Sequence, residues 1–203
     1  MELVFATNNK HKIEELQYLL PPSIKLLSLK DIGCNEELPE TQPTIEGNAA
    51  QKAFYVYNNY NVNCFADDTG LEVEALNGAP GVFSARYAGE HKNATDNINK
   101  LLNELNKSNN RNAHFKTVIS LVINGKENQF EGLVKGTILT ERYGNQGFGY
   151  DSVFAPLIYQ HQQNERLVSF AEMDLSEKNK ISHRAIAVKK LLDYLDGLKM
   201  SLL

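Results

Sequence analysis

The segment that most narrows how this chain can fold is 115–139. Residues 115–123 (FKTVISLVI) are dense in β-branched and apolar side chains. Asn124-Gly125 follows at once, and 128–139 runs back. A two-residue Asn-Gly loop supplies the positive φ angles that a type I′ turn demands, so the flanks pair as an antiparallel hairpin. Gly132 and Gly136 within the return strand point to a bulge or a close backbone approach. Any fold for this chain must therefore hold a long two-stranded ribbon.

Helical spacing alternates with short apolar runs elsewhere. Leu3-Val4-Phe5-Ala6 reads as a buried strand, Thr7-Asn8-Asn9 as a turn, and 10–20 as a helix with Ile13, Leu16, Leu19 and Leu20 on one face. Asn8 or Asn9 can cap that helix, and Pro21-Pro22 stops it. A second strand is expected at 24–29 and a loop rich in acids and proline at 33–43. Thr44 caps a helix at 45–57, whose stripe is Ala49, Ala50, Ala53, Phe54 and Tyr57. Residues 62–66 form a strand ending in Asp67-Asp68. Ile98, Leu101, Leu102 and Leu105 give 96–105 an apolar face, and a Gly-rich loop covers 143–150. The last helix, 181–195, buries Ala185, Val188, Leu191, Leu192 and Leu195. With no repeat or linker, the expectation is one α/β domain over 1–203, with room for a cleft between two lobes.

Composition removes several functions. The formal net charge is −4, from 21 Lys plus Arg against 25 Asp plus Glu, so there is no basic field for a nucleic-acid polymer. Cys34 and Cys64 are far apart, which speaks against a disulfide framework or a thiolate zinc site. No apolar run reaches membrane-spanning length, and the N-terminus lacks a secretory signal. A cytoplasmic protein is expected.

Four polar constellations remain. Asp67-Asp68-Thr69-Gly70 puts two carboxylates at the end of an apolar run, where they need a metal or a cation, or else serve as an ordinary turn. Thr7, Asn9 and Lys12 gather a hydroxyl, an amide and an ammonium at a helix start and suit phosphate oxygens, although GxxxxGK[ST] is absent and a capped surface helix would look the same. Phe148-Gly149-Tyr150-Asp151 offers aromatic faces and a carboxylate to a base, or anchors its loop in the core. Ser182-His183-Arg184 sets two donors beside a helix start, or is an N-cap Ser182 with two surface side chains.

These residues carry a resemblance that runs nearly end to end. The matching stretches are Ala6-Thr7-Asn8-Asn9-Lys10-His11-Lys12, Glu40-Thr41, Asn48-Ala49-Ala50-Gln51-Lys52-Ala53 and Ala66-Asp67-Asp68-Thr69-Gly70-Leu71. They continue through residues 76–89, Gly147-Phe148-Gly149-Tyr150-Asp151 and residues 177–184. The chain resembles the non-canonical purine nucleoside triphosphate pyrophosphatases, also called inosine triphosphate pyrophosphatases. The resemblance implies an elongated α/β fold, with a central mixed sheet and two lobes flanking a deep nucleotide cleft, and a homodimer. It also implies Mg2+-dependent hydrolysis of ITP, dITP and XTP to the monophosphate and pyrophosphate, clearing deaminated purines from the nucleotide pool.

By the same resemblance, Thr7, Asn9, Lys12 and Lys52 hold the triphosphate, and Asn8, a mild change where relatives frequently have Gly, counts among the substrate-binding residues. Asp68 is the general base with Asp67 beside it, and Thr69 keeps a hydroxyl next to them. Phe148 stacks on the purine, and Gly149, Tyr150 and Asp151 frame base and sugar. Lys178, His183 and Arg184 complete the pocket. One departure matters: the family's metal-binding Glu before the Asn-Ala pair is Gly47 here. Glu46 lies one residue earlier, about 100° away around a helix. The metal set is then Asp68, Asp67 and Glu46, and the alternative is a purine nucleotide-binding protein with weakened catalysis.

Overall fold

The structure is a computed structural model that describes residues 1–158 and 167–200. Its strands and α-helices, in chain order, are β1 (Glu2–Phe5), α1 (Lys10–Leu19), β2 (Lys25–Leu27), α2 (Ile45–Tyr60), β3 (Cys64–Val73), β4 (Pro80–Gly81), α3 (Ala94–Glu104), β5 (Asn112–Ile123), β6 (Lys126–Ile138), β7 (Phe154–Pro156), α4 (Leu175–Ile181) and α5 (His183–Met200). The strands follow the order β2-β1-β3-β5-β6-β7, with β4 on β3. β1 pairs parallel with β2 and β3, whereas β3 with β4 and β6 with β7 are antiparallel. The fold is mixed α/β.

The chain gathers into two compact units. The first holds Met1–Asp68, Thr117–Gly132 and the described residues from Arg184 on. Here the helix starts are fixed as their residues dictate. Asn9 Oδ1 accepts the N–H groups of His11 and Lys12, and Thr44 Oγ1 accepts that of Gly47. Two apolar clusters form. One joins Leu3, Phe5 and Phe65 to Leu16 of α1 and Val188, Leu191 and Leu195 of α5. The other joins Val4, Ala6, Cys64 and Ala66 to Ala53 and Val56 of α2.

The expected hairpin is present. Asn124 has φ 50° and Gly125 φ 77°, both positive as the type I′ turn requires. The Asn63 side chain accepts the Asn124 N–H at 3.0 Å and ties the turn down.

The second unit holds Thr69–Lys116 and the described residues of Leu133–His183. Its centre is aromatic: Phe115 lies 4.6 Å from Phe154 and 6.3 Å from Phe170 between ring centroids. Gly136 is the close approach that its sequence position suggests. A Cβ there would stand 2.3 Å from Phe154 Cζ and 2.5 Å from the Ala155 carbonyl oxygen of β7. Gly136→Ala is therefore expected to destabilise the protein by about 1–3 kcal/mol through overpacking. A thermal melt matching that of the parent would show that β7 gives way freely.

Two expectations are corrected. β3 does not end at the acidic pair but runs on through Asp67, Asp68, Thr69 and Gly70 to Val73. The pair stays in the strand because cations, not water, satisfy it. The closing helix also begins at His183 rather than 181, and a further helix, α4, precedes it. Asp174 and Glu177 form a capping box that starts α4 early, and Ser182, extended at φ −70° and ψ 153°, separates it from α5. No described helix is long and apolar enough to cross a membrane.

Candidate active site

Successive side chains of a strand point to opposite faces, and this splits the acidic pair. Phe65 packs with α1 and α5, and Asp67 follows it to that side. Ala66 packs with α2, and Asp68 follows it there. The ion pairs agree. Asp67 Oδ1 accepts from Lys12 Nζ at 2.8 Å, and its Oδ2 accepts from Arg184 Nε at 3.2 Å. Asp68 Oδ1 accepts from Lys52 Nζ at 3.1 Å, and its Oδ2 accepts from Asn48 Nδ2 at 3.3 Å. Lys52 Nζ also donates to Glu40 Oε1 at 2.6 Å.

The two carboxylates are tuned apart. Burial alone would raise Asp67, but Lys12, Arg184 and Lys52 outweigh it and hold the carboxyl well below the usual range. Burial also dominates at Asp68, where Lys52 and Lys12 offset it only in part and Glu40 adds to it, so its pKa is raised. Lys12 is pushed down by burial, while Lys52, though buried, is raised by Asp68 and Glu40. Asp67 is thus held as an anion, and Asp68 binds a proton more readily than Asp67 does.

Other first-unit candidates scatter around this centre. Thr7 Oγ1 accepts the Asn9 N–H at 3.2 Å, and Asn8 donates from its side chain to the Glu36 carbonyl at 3.3 Å. Arg184 is 2 % exposed and bonded to Asp67 and Glu15, so it is buried behind the acids. The Glu46 carbonyl accepts from Gln129 Nε2 at 3.5 Å. At Gly47 a Cβ would meet Gln42 Cβ at 2.8 Å, so a longer side chain there must displace Gln42.

In the second unit the Gly-rich loop is built around Asp151. Its Oδ2 accepts the Phe148 N–H at 2.9 Å and Lys178 Nζ at 2.7 Å. Gly147, at φ 70°, has no room for a Cβ, which would lie 2.2 Å from that same oxygen. The Lys178 ammonium stands 5.2 Å from the centre of the half-buried Phe148 ring. Tyr150 is buried, and its hydroxyl donates to the Ser84 carbonyl at 3.0 Å. Buried His183 stacks on Phe115 at 4.5 Å. Phe148, Gly149 and Asp151 border a cavity of about 350 Å³ with Thr95, Ile98 and Arg142.

Sequence reasoning assigned no role to four residues, although Glu40, Asn48 and Asn179 lie in stretches that carry the resemblance. Asn48 sits one helical turn before Lys52, and that i, i+4 spacing was the available signal. Glu15 likewise lies three residues after Lys12, as a buried acid next to Leu16. Glu40 lies in a loop, where spacing carries no information. Asn179 Nδ2 is buried without a hydrogen-bond partner among the described residues, which leaves a donor for an incoming acceptor.

A magnesium site here would draw on hard oxygen donors. Asp68 and Glu40 share the Lys52 ammonium, so two carboxylates stand together, as many as a magnesium ion that keeps waters and phosphate oxygens requires. Among the described residues, no group of three or more His, Cys, Asp or Glu is placed to hold a metal. The donor set fits an ion shared with a bound phosphate.

Known proteins give the arrangement a context. The model of the Ham1 family matches residues 3–194. The dITP/XTP pyrophosphatase of Flavobacterium psychrophilum is 59 % identical over 194 residues, covering 96 % of this chain and 98 % of that protein. The dITP/XTP pyrophosphatase of Porphyromonas gingivalis is 50 % identical, covering 96 % and 97 %. Among solved structures, the Staphylococcus aureus Ham1 protein superposes with a TM-score of 0.86 at 37 % identity, covering 97 % of this chain and 99 % of that one. A family model that matches residues 3–194, a fold shared along nearly the whole length, and identity of one half or more with named relatives lead to one conclusion: the chain belongs to the Ham1 family.

Proposed function

We propose that this chain hydrolyses the non-standard purine triphosphates dITP, ITP and XTP to the monophosphate and pyrophosphate, and so clears deaminated purines from the nucleotide pool. The observation that carries the reading is Asp68, a buried carboxylate with a raised pKa, held by Lys52 and Asn48. Its Ham1 relatives named dITP/XTP pyrophosphatases support the substrate class. The activity is assigned to the whole chain as one catalytic domain, acting as a cytoplasmic homodimer.

Asp68 takes the proton from the attacking water, and the Lys52 ammonium beside it neutralises the charge that develops on the phosphates. Lys12, with Thr7, Asn8 and Asn9 at the start of α1, holds phosphate oxygens, and Thr69 adds a hydroxyl. Magnesium would be held by Asp68 and Glu40 together with substrate oxygens, where it would supply further neutralisation of phosphate charge. Asp67, engaged by Lys12 and Arg184, orients those cations from the other face. Glu40 beside Lys52 favours an enzyme over a mere binder weakened at Gly47.

The purine is assigned to the loop of the second unit. Phe148 offers a ring face, Gly149 and Tyr150 shape the loop, and Asp151 with Lys178 holds it rigid. Hypoxanthine and xanthine present an acceptor at O6 and a donor at N1, and adenine reverses both. Donors such as Asn179, Lys178 and His183 would leave adenine's amino group facing a donor. Such a mismatch in a closed pocket gives discrimination on the order of 10⁴-fold.

The test is product analysis across dITP, XTP, ITP, GTP and ATP. Pyrophosphate is expected from the first three, with ATP turned over far more slowly. Orthophosphate and a diphosphate as products would overturn the assignment of the cleaved bond, and equal use of ATP would overturn the base pocket.

A further inference from the structure

We propose that Glu15 is a positioning residue for Lys12, acting through Arg184 and Asp67. Lys12 and Glu15 lie three residues apart on α1, where side chains share a face. Arg184 Nη1 donates to Glu15 Oε2, and Arg184 Nε donates to Asp67 Oδ2 at 3.2 Å. Asp67 Oδ1 in turn receives Lys12 Nζ at 2.8 Å. The relay leaves α1 at Glu15, crosses α5 and β3, and returns to α1 one turn away. Every member but Lys12 is nine-tenths or more buried, and the Lys12 side chain is 13 % exposed, at the open end.

A guanidinium is a planar fork that seeks both oxygens of a carboxylate. Glu15 occupies one arm of that fork and thereby directs Nε to Oδ2 of Asp67, which keeps Oδ1 for the ammonium. With a neutral amide at position 15, Arg184 closes bidentately on Asp67, and Lys12 loses its anchor.

The inference rests on the assignment of Lys12 to substrate phosphates, so the test separates the two. Steady-state kinetics with dITP are compared for the parent, Glu15→Gln, Lys12→Ala and the double variant. Glu15→Gln is expected to raise KM about 10-fold with a smaller change in kcat, and the double variant is expected to be no worse than Lys12→Ala alone. An unchanged KM in Glu15→Gln, or losses that simply add, overturns the role of Glu15 while leaving Lys12 in place. Parent-like kinetics for Lys12→Ala removes Lys12 from phosphate binding and the inference with it. Should Glu15→Gln not fold, Glu15→Asp, which keeps the charge but withdraws it, carries the same cycle with the same criteria.

Discussion

Asp68→Asn is expected to lower kcat for dITP by about 10²–10⁴-fold, the range for loss of a positioned base, while nucleotide binding persists. An amide has nearly the same shape and can still accept from Lys52, which stays paired with Glu40. What disappears is the capacity to take a proton from water. Pyrophosphate release gives kcat, and calorimetric titration of the variant with dITP gives affinity. Turnover within a few-fold of the parent would remove Asp68 as the base. Lost binding alongside lost turnover would instead make it a structural anchor for the phosphate site.

Asp67→Asn should act on stability. Asp67 is 2 % exposed and faces two buried cations, and breaking such a pair from one side costs about 3–5 kcal/mol because the partner charge is stranded. In a protein of this size that lowers Tm by on the order of 10 °C. The pH dependence fixes the mechanism. The folded-state pKa of Asp67 lies below the ordinary 3.8, so the native state binds its proton less readily than the unfolded chain does. Its contribution is complete above that ordinary value and is lost as pH falls through the folded one. Urea unfolding in chelator should show the largest gap between variant and parent near neutrality, narrowing below about pH 4. A gap independent of pH would mean that packing, not charge, is responsible.

Local signals made much of this molecule readable from its residues. Asn124-Gly125 fixed the hairpin through its φ demands, and Asn9 and Thr44 marked helix starts by the oxygen each carries. The resemblance singled out Asp68 and Lys52, and the structure pairs them at 3.1 Å. What stayed hidden depends on partners distant in the chain. The strand could not be seen to pass through Asp67 and Asp68, because the cations that make their burial tolerable come from α1, α2 and α5. Arg184 looked like a substrate donor beside a helix start, and only the fold reveals Glu15, 169 residues away in sequence, as its partner.

The split of the acidic pair has a consequence for how this gene can vary. Each side chain's duties follow from whether its position in β3 is odd or even. Loss or gain of a single codon between Cys64 and Asp67 would exchange the partners of the two acids, handing the proton acceptor to Lys12 and the fixed anion to Lys52. Two codons would restore the parity and shift the pair along the strand instead. Length changes here should therefore be tolerated, if at all, only in pairs, while the loop that carries Glu40 is under no such arithmetic.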